Sequence, residues 1–270
     1  MIDAEIKIAI EQAIANFEQS SESGAWSSLD KPTVVAGMRT RATNPYKVNQ
    51  GGQPFCGPAS ILFEFIRKQP LRYVQICQSL FETGSFETPT SRIEASAKLR
   101  QSQGEFRMAQ ADWMILATLR EAENIIFPID PNAPGLIRNL SGITKSWEMK
   151  GWVRDILGYR HVEYVHTYLL GDLKAMRRAN QVIQQGGVAF ALVTAEGLLT
   201  NTAAGHPRNL IAYPNHWITL LGNLKAQPNR VRRKQDSKVQ FDVYSWAKKM
   251  KVTASKRSFK RFFWGVVIGR

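Results

Sequence analysis

The sequence predicts an α+β domain, on three observations. Apolar residues recur at helical spacing through most of residues 3 to 185, and short β-branched and aromatic runs take over from residue 188. No shift of composition divides the 270 residues into two bodies. Helices that precede strands, rather than alternate with them, imply an antiparallel sheet. A 44% hydrophobic composition provides a core and excludes a disordered or low-complexity chain. No apolar run is long enough to suggest a helical membrane span.

Taken in order, Ile6, Ile10, Ala13 and Phe17 predict an amphipathic helix from residue 3 to about 19, and "SSESGAW" ends it. Residues 25 to 52 read as irregular, with Pro32, Pro45, Gly51 and Gly52. A helix opens at Cys56, with Ala59, Leu62, Phe63 and Ile66 on one stripe, and Pro70 interrupts it. Tyr73, Val74, Cys77, Leu80 and Phe81 form the next stripe, closed by Gly84, and they make Cys77 a core residue. Asp112 stands where an N-cap belongs for "WMILATLREAEN". Further helices are expected over 145 to 157 and from Asp172 to about Gln185. "GVAFALVTA", "HWITLLGNL", "KVQFDVYSW" and "RFFWGVVIG" read as strands.

The formal charge of +14 is concentrated at one end. Residues 223 to 270 hold 14 Lys/Arg against 2 Asp/Glu, a local +12 that leaves about +2 for the rest. Such a segment suits an acidic or nucleic-acid contact, or is simply a solvated basic face. No zinc-finger spacing, phosphate-cradling loop or aromatic RNA-binding motif accompanies it. Two cysteines make no disulfide framework, and the N-terminal segment carries charges where a signal peptide would be apolar. Synthesis in a reducing cytoplasm is the expectation.

One segment carries chemistry. In "NQGGQPFCGPAS" Cys56 occupies the first turn of its helix, where unpaired N–H groups and the dipole favour a thiolate. Pro58 is tolerated in that turn, and Gly57 leaves the space beside the sulfur clear. Gln50, six residues before Cys56, is placed to donate to an oxyanion together with the Cys56 N–H, and Gln53 is the alternative donor. His161 and His166 lie five apart, without the spacing of a zinc protease, and His206 falls in a loop-like segment. His216 begins an apolar strand in "YPNHWITLLG".

"QGGQPFCGPAS" resembles the nucleophile segment of papain-like cysteine peptidases, and the "CGPAS" form is similar to double-glycine leader peptidases and related bacterial effector toxins. The resemblance covers residues 46 to 270, with its specificity around Cys56 and His216; residues 1 to 45 have no counterpart in it. It implies a papain-like fold, a helical half bearing the nucleophile followed by an antiparallel sheet, with His216 as base. The third member, which orients the imidazole, departs from the family pattern: "VQFDVYSW" offers Asp242, favoured as a carboxylate, or Ser245. Trp217, beside His216, is expected to pack over the site. "RSFKRFFWGVVIGR" resembles the closing strand of such toxins.

The implied activity is cysteine-dependent hydrolysis of an amide bond in a protein or peptide, with no cofactor and no metal. Deamidase, acyltransferase and cell-wall amidase chemistries share the same residues. The resemblance also implies a toxin exported by a leaderless, contact-dependent (type VI) route and an immunity or adaptor protein as partner. The rival class is a catalytically dead papain-like module or a basic nucleic-acid-binding domain.

Overall fold

A computed structural model describes residues 3–103, 107–124, 144–167, 172–200, 212–226 and 238–270. His206 and the basic stretch 227–237 lie outside the described residues. Helix α1 (Ala4–Gln19) starts at Asp3, whose side chain accepts from the Glu5 N–H, and buries Ile10, Ile14 and Phe17. Residues 25 to 52 are not irregular as expected. They contain α2 (Lys31–Thr43) and a single 3₁₀ turn, Pro45–Lys47. Asp30 caps α2 by accepting from the Thr33 N–H, and Pro32 lies in its first turn, where a missing N–H costs nothing.

Helix α3 (Cys56–Lys68) and α4 (Pro70–Thr83) meet at Gln69, and Gly84 ends α4 in the left-handed conformation at φ 75°. A two-stranded ribbon of β1 (Ser85–Glu87) and β2 (Arg92–Glu94) follows, then the short α5 (Ala97–Arg100). Helix α6 spans Gln110–Asn124, so Asp112 lies within its first turn rather than capping it. Helices α7 (Ser146–Asp155) and α8 (Asp172–Gln184) sit where the sequence places them.

The main sheet is antiparallel throughout, in the order β3-β8-β4-β5-β6-β7. Its strands are β3 (Val162–His166), β4 (Val188–Val193), β5 (His216–Ala226), β6 (Lys238–Ser245), β7 (Lys248–Ser255) and β8 (Phe263–Gly269). The fold is α+β. Strands β3 and β7 are additions to the expected set, and Arg261–Phe262 belong to a short helix α9 (Lys256–Phe262) that leads into β8.

Alternation along the strands sends side chains into two cores. Val188, Phe190, Trp217, Tyr244 and Val267 join the core built by α1 to α4, α6 and α7. Ala189, Ala191, Val193, Ile218, Leu220 and Val243 pack with α8 and with Phe259 and Phe262 of α9. With both faces covered, β4 reads as an unbroken apolar run. Residues 1 to 45 contribute Ile14, Phe17, Val34 and Met38 to the same core as Cys77, which is fully buried.

Candidate active site

The loop before α3 is fixed from two sides. Asp112, fully buried on α6, accepts from Arg41 of α2 at both carboxylate oxygens, 3.0 Å from Nε and 2.8 Å from Nη2. It also accepts the Asn49 N–H at 3.0 Å. From the sheet, the Tyr244 hydroxyl donates to the Val48 carbonyl at 2.6 Å, and its ring stacks on Phe63 of α3 at 3.8 Å. Gln50 therefore leaves a clamped backbone. Its neighbour Gly51 has φ 59°, and a Cβ there would lie 2.6 Å from the Arg107 carbonyl oxygen. The Gln50 amide donates to the Gln53 carbonyl at 3.0 Å. Gln50, Cys56, Ser60, Trp217, Ser245 and Trp246 line one recess, to which Gln53 does not contribute.

Cys56 is the first residue of α3, as its sequence context predicts, but it is only 5% exposed. Backbone N–H groups of Trp217 and Gly57 donate toward its sulfur and favour the thiolate. Burial outweighs them and, with Glu123 nearby, pushes the thiol above its ordinary value. The helix end therefore does not by itself activate this cysteine. The space beside Gly57, expected to be clear, is filled by Thr144.

His216 opens β5. The preceding Asn215 holds the approach in place by donating its N–H to the Val193 carbonyl, accepting the Ala195 N–H, and donating its amide to Glu196. Ser245, the last residue of β6, is hydrogen-bonded to His216 Nε2 at 2.7 Å. The ring is 6% exposed, and burial lowers its pKa to about 4. Among the described residues no hydrogen bond joins the Cys56 sulfur to the His216 ring. What they share is the recess: Cys56 lines it together with Trp217, the residue after His216, and Ser245, the partner of the ring.

Asp242 does not hold His216. Its carboxylate accepts from Asn223 Nδ2 at 2.8 Å and lies 3.7 Å from Lys249 Nζ. The register explains the correction: Asp242 lies opposite Gly222, six residues along β5 from His216, whereas Ser245 is at the near end of β6. Trp217 does not cover the site either, being buried with its indole N–H on the Thr144 carbonyl.

That cover is Trp246, whose ring stacks on His216 at 4.9 Å and 26°. Trp246 and Ala247 form a two-residue hairpin between β6 and β7 with φ 49° and 58°. Both centres of such a turn need positive φ, which favours Asn-Gly, so Trp-Ala is a strained choice. Ala247→Gly should relieve part of this strain and stabilise the chain by about 0.5–1 kcal/mol in chemical denaturation. Trp246 was not singled out from the sequence, and the one signal that could have found it is the "SW" pair that ends "VQFDVYSW".

No family model matches the chain. No curated protein is significantly similar to it. A thiol at a helix N-terminus, an imidazole bonded on Nε2 and stacked by an indole, and an amide donor on the thiol's recess are groups that nucleophilic acyl transfer can use. Burial raises the Cys56 thiol and lowers the His216 ring to about 4, so both groups are neutral at pH 7 and the ring resists protonation at rest.

Proposed function

We propose that the chain is a papain-like cysteine hydrolase acting on an amide bond of a protein or peptide. The observation that carries the reading is one recess lined by Cys56, Gln50, Trp217 and Ser245, with the Ser245 hydroxyl bonded to His216 Nε2 at 2.7 Å. The sequence resemblance around Cys56 and His216 supports it independently.

In this reading the Cys56 sulfur attacks the carbonyl carbon while its proton passes to His216 Nδ1, since Ser245 engages Nε2. With both groups neutral at rest there is no preformed ion pair, so the proton moves only at the moment of attack and against the burial that lowers the ring's pKa. Because sulfur and ring are not bonded at rest, substrate binding has to bring them together, as catalytic hydrogen bonds often do on binding. Gln50 exchanges its bond to Gln53 for one to the oxyanion. The imidazolium then protonates the departing amine as the C–N bond breaks, leaving a thioester on Cys56. Water attacks it, giving up a proton through His216, and releases acid and thiol. Export as an effector toxin, with an immunity or adaptor partner, belongs to the same proposal and rests on the resemblance alone.

The separation of sulfur and ring at rest favours one rival, a papain-like module without activity. An electrophilic peptide probe decides between them. A hydrolase should label at Cys56 at least tenfold faster than at Cys77, and lose labelling in His216→Ala. Equal rates, or labelling indifferent to His216, would overturn the proposal. Mass spectrometry of a panel of denatured proteins then distinguishes backbone cleavage from side-chain deamidation and crosslinking, with Cys56→Ala as the inactive control.

A further inference from the structure

One residue touches both walls of the Cys56 seat. The Thr144 side chain presses against α3 at Gly57, where an added Cβ would lie 2.5 Å from the Thr144 Cβ. Its carbonyl accepts the indole N–H of Trp217, on β5, at 2.7 Å. Its hydroxyl donates to the Glu123 carboxylate at 2.9 Å. Glu123 also accepts the Trp152 indole N–H at 2.9 Å and pairs with Arg120 of the same helix. Thr144 is 1% and Glu123 3% exposed. A connected path thus runs from α6 and α7 through one buried carboxylate to the gap between the nucleophile helix and the strand of His216.

We propose that Glu123 and Thr144 are positioning residues for Cys56. The carboxylate locks the Thr144 rotamer, and Thr144 sets how closely the start of α3 approaches the start of β5. A buried carboxylate is costly unless its oxygens are satisfied, and an apolar side chain would fill the same space. What the carboxylate adds is direction: it accepts from Thr144 and Trp152 together, which fixes both donors. The group that benefits is the sulfur, because Thr144 presses on Gly57, the residue after Cys56, and holds the indole of Trp217, which lines the same recess as Cys56. The inference concerns the thiol itself; only its value for turnover rests on the proposed hydrolase.

The experiment is the pH profile of Cys56 alkylation by iodoacetamide, followed by peptide mass mapping with buried Cys77 as internal reference. Thr144→Val keeps the shape and removes the hydroxyl, and Thr144→Ser keeps the hydroxyl. The valine variant should displace the midpoint by about half a pH unit or more, roughly a threefold rate change at fixed pH, and the serine variant should return toward wild type. A valine profile that overlays wild type, or one that serine matches, overturns the proposal. Should Thr144→Val not fold, Trp152→Phe takes its place, since it removes the second donor that orients the Glu123 carboxylate and leaves its charge unchanged, with a displaced profile expected and an unmoved one overturning. Hydrolysis assayed in parallel keeps the two readings apart. A profile that moves in a chain that hydrolyses nothing retains the positioning role and removes the hydrolase, and an unmoved profile in an active enzyme does the reverse.

Discussion

Asp112→Ala should cost about 3–5 kcal/mol of folding stability, the range for removing one partner of a buried ion pair. The substitution leaves the Arg41 guanidinium, whose side chain is 11% exposed, without its carboxylate, and deprives the Asn49 N–H of its acceptor. Burial pushes the Asp112 carboxyl up, while the Arg41 hydrogen bonds and charge pull it back, so the pair is held by mutual dependence. Replacing both members, Arg41→Met with Asp112→Leu, should cost much less than the single change, since no charge is then stranded. Urea unfolding with an unchanged m-value measures both. A single-variant cost under about 1 kcal/mol would show that water reaches the pair and that it does not clamp the Gln50 loop.

The same residue shows what the sequence could and could not convey. Asp112 stands just before an apolar run, which is the local signature of an N-cap, yet its partner lies 71 positions away on another helix. Long-range pairing leaves no mark on the local pattern. Helices α3 and α4 were legible because their apolar stripes are sharp and Gly84 marks the end. Helix α2 was not, because Pro32 was taken for a breaker and its buried face includes Arg41 among Val34, Val35 and Met38. Strand β7 was hidden by Lys248, Lys249 and Lys251, which belong to a strand paired only with β6 among the described residues.

Local order sufficed to place Cys56 at the start of a helix and His216 at the start of a strand, and the structure carries them on the α3 and β5 starts with Gln50 on the clamped loop. It did not suffice to tell which side chain meets the His216 ring. Period-two alternation separates Asp242 from Ser245 by face, but only the β5–β6 register, shifted on either side of Gly222, decides which lies near the ring. Nor could sequence weigh the helix dipole against desolvation. A cysteine in a first turn reads as activated until the depth of its seat is known.

Acidification should destabilise the fold through His216. A histidine whose pKa is lowered on folding, here to about 4 from 6.5, gives a contribution fully present above pH 6.5. Below that the unfolded chain takes up a proton that the folded chain refuses, so stability falls as the pH drops, by about 1.4 kcal/mol per unit. Between pH 6.5 and about 4 the loss approaches 3 kcal/mol, a large part of the 5–15 kcal/mol typical of a domain. The cause is burial under Trp246, with the Ser245 hydroxyl as hydrogen-bond partner. Buried Asp112, Glu64 and Glu123 have raised pKa values and act in the opposite sense, so a single pH curve would mix these effects. Comparison with His216→Phe separates them, because the ring keeps its stack but loses its proton site. Urea unfolding at pH 7 and near pH 4 should show the wild type losing about 3 kcal/mol more than the variant between the two conditions. Parallel losses would mean that the imidazole is hydrated and takes up its proton as readily as in the unfolded chain, and the burial of His216 beneath Trp246 would fall with it.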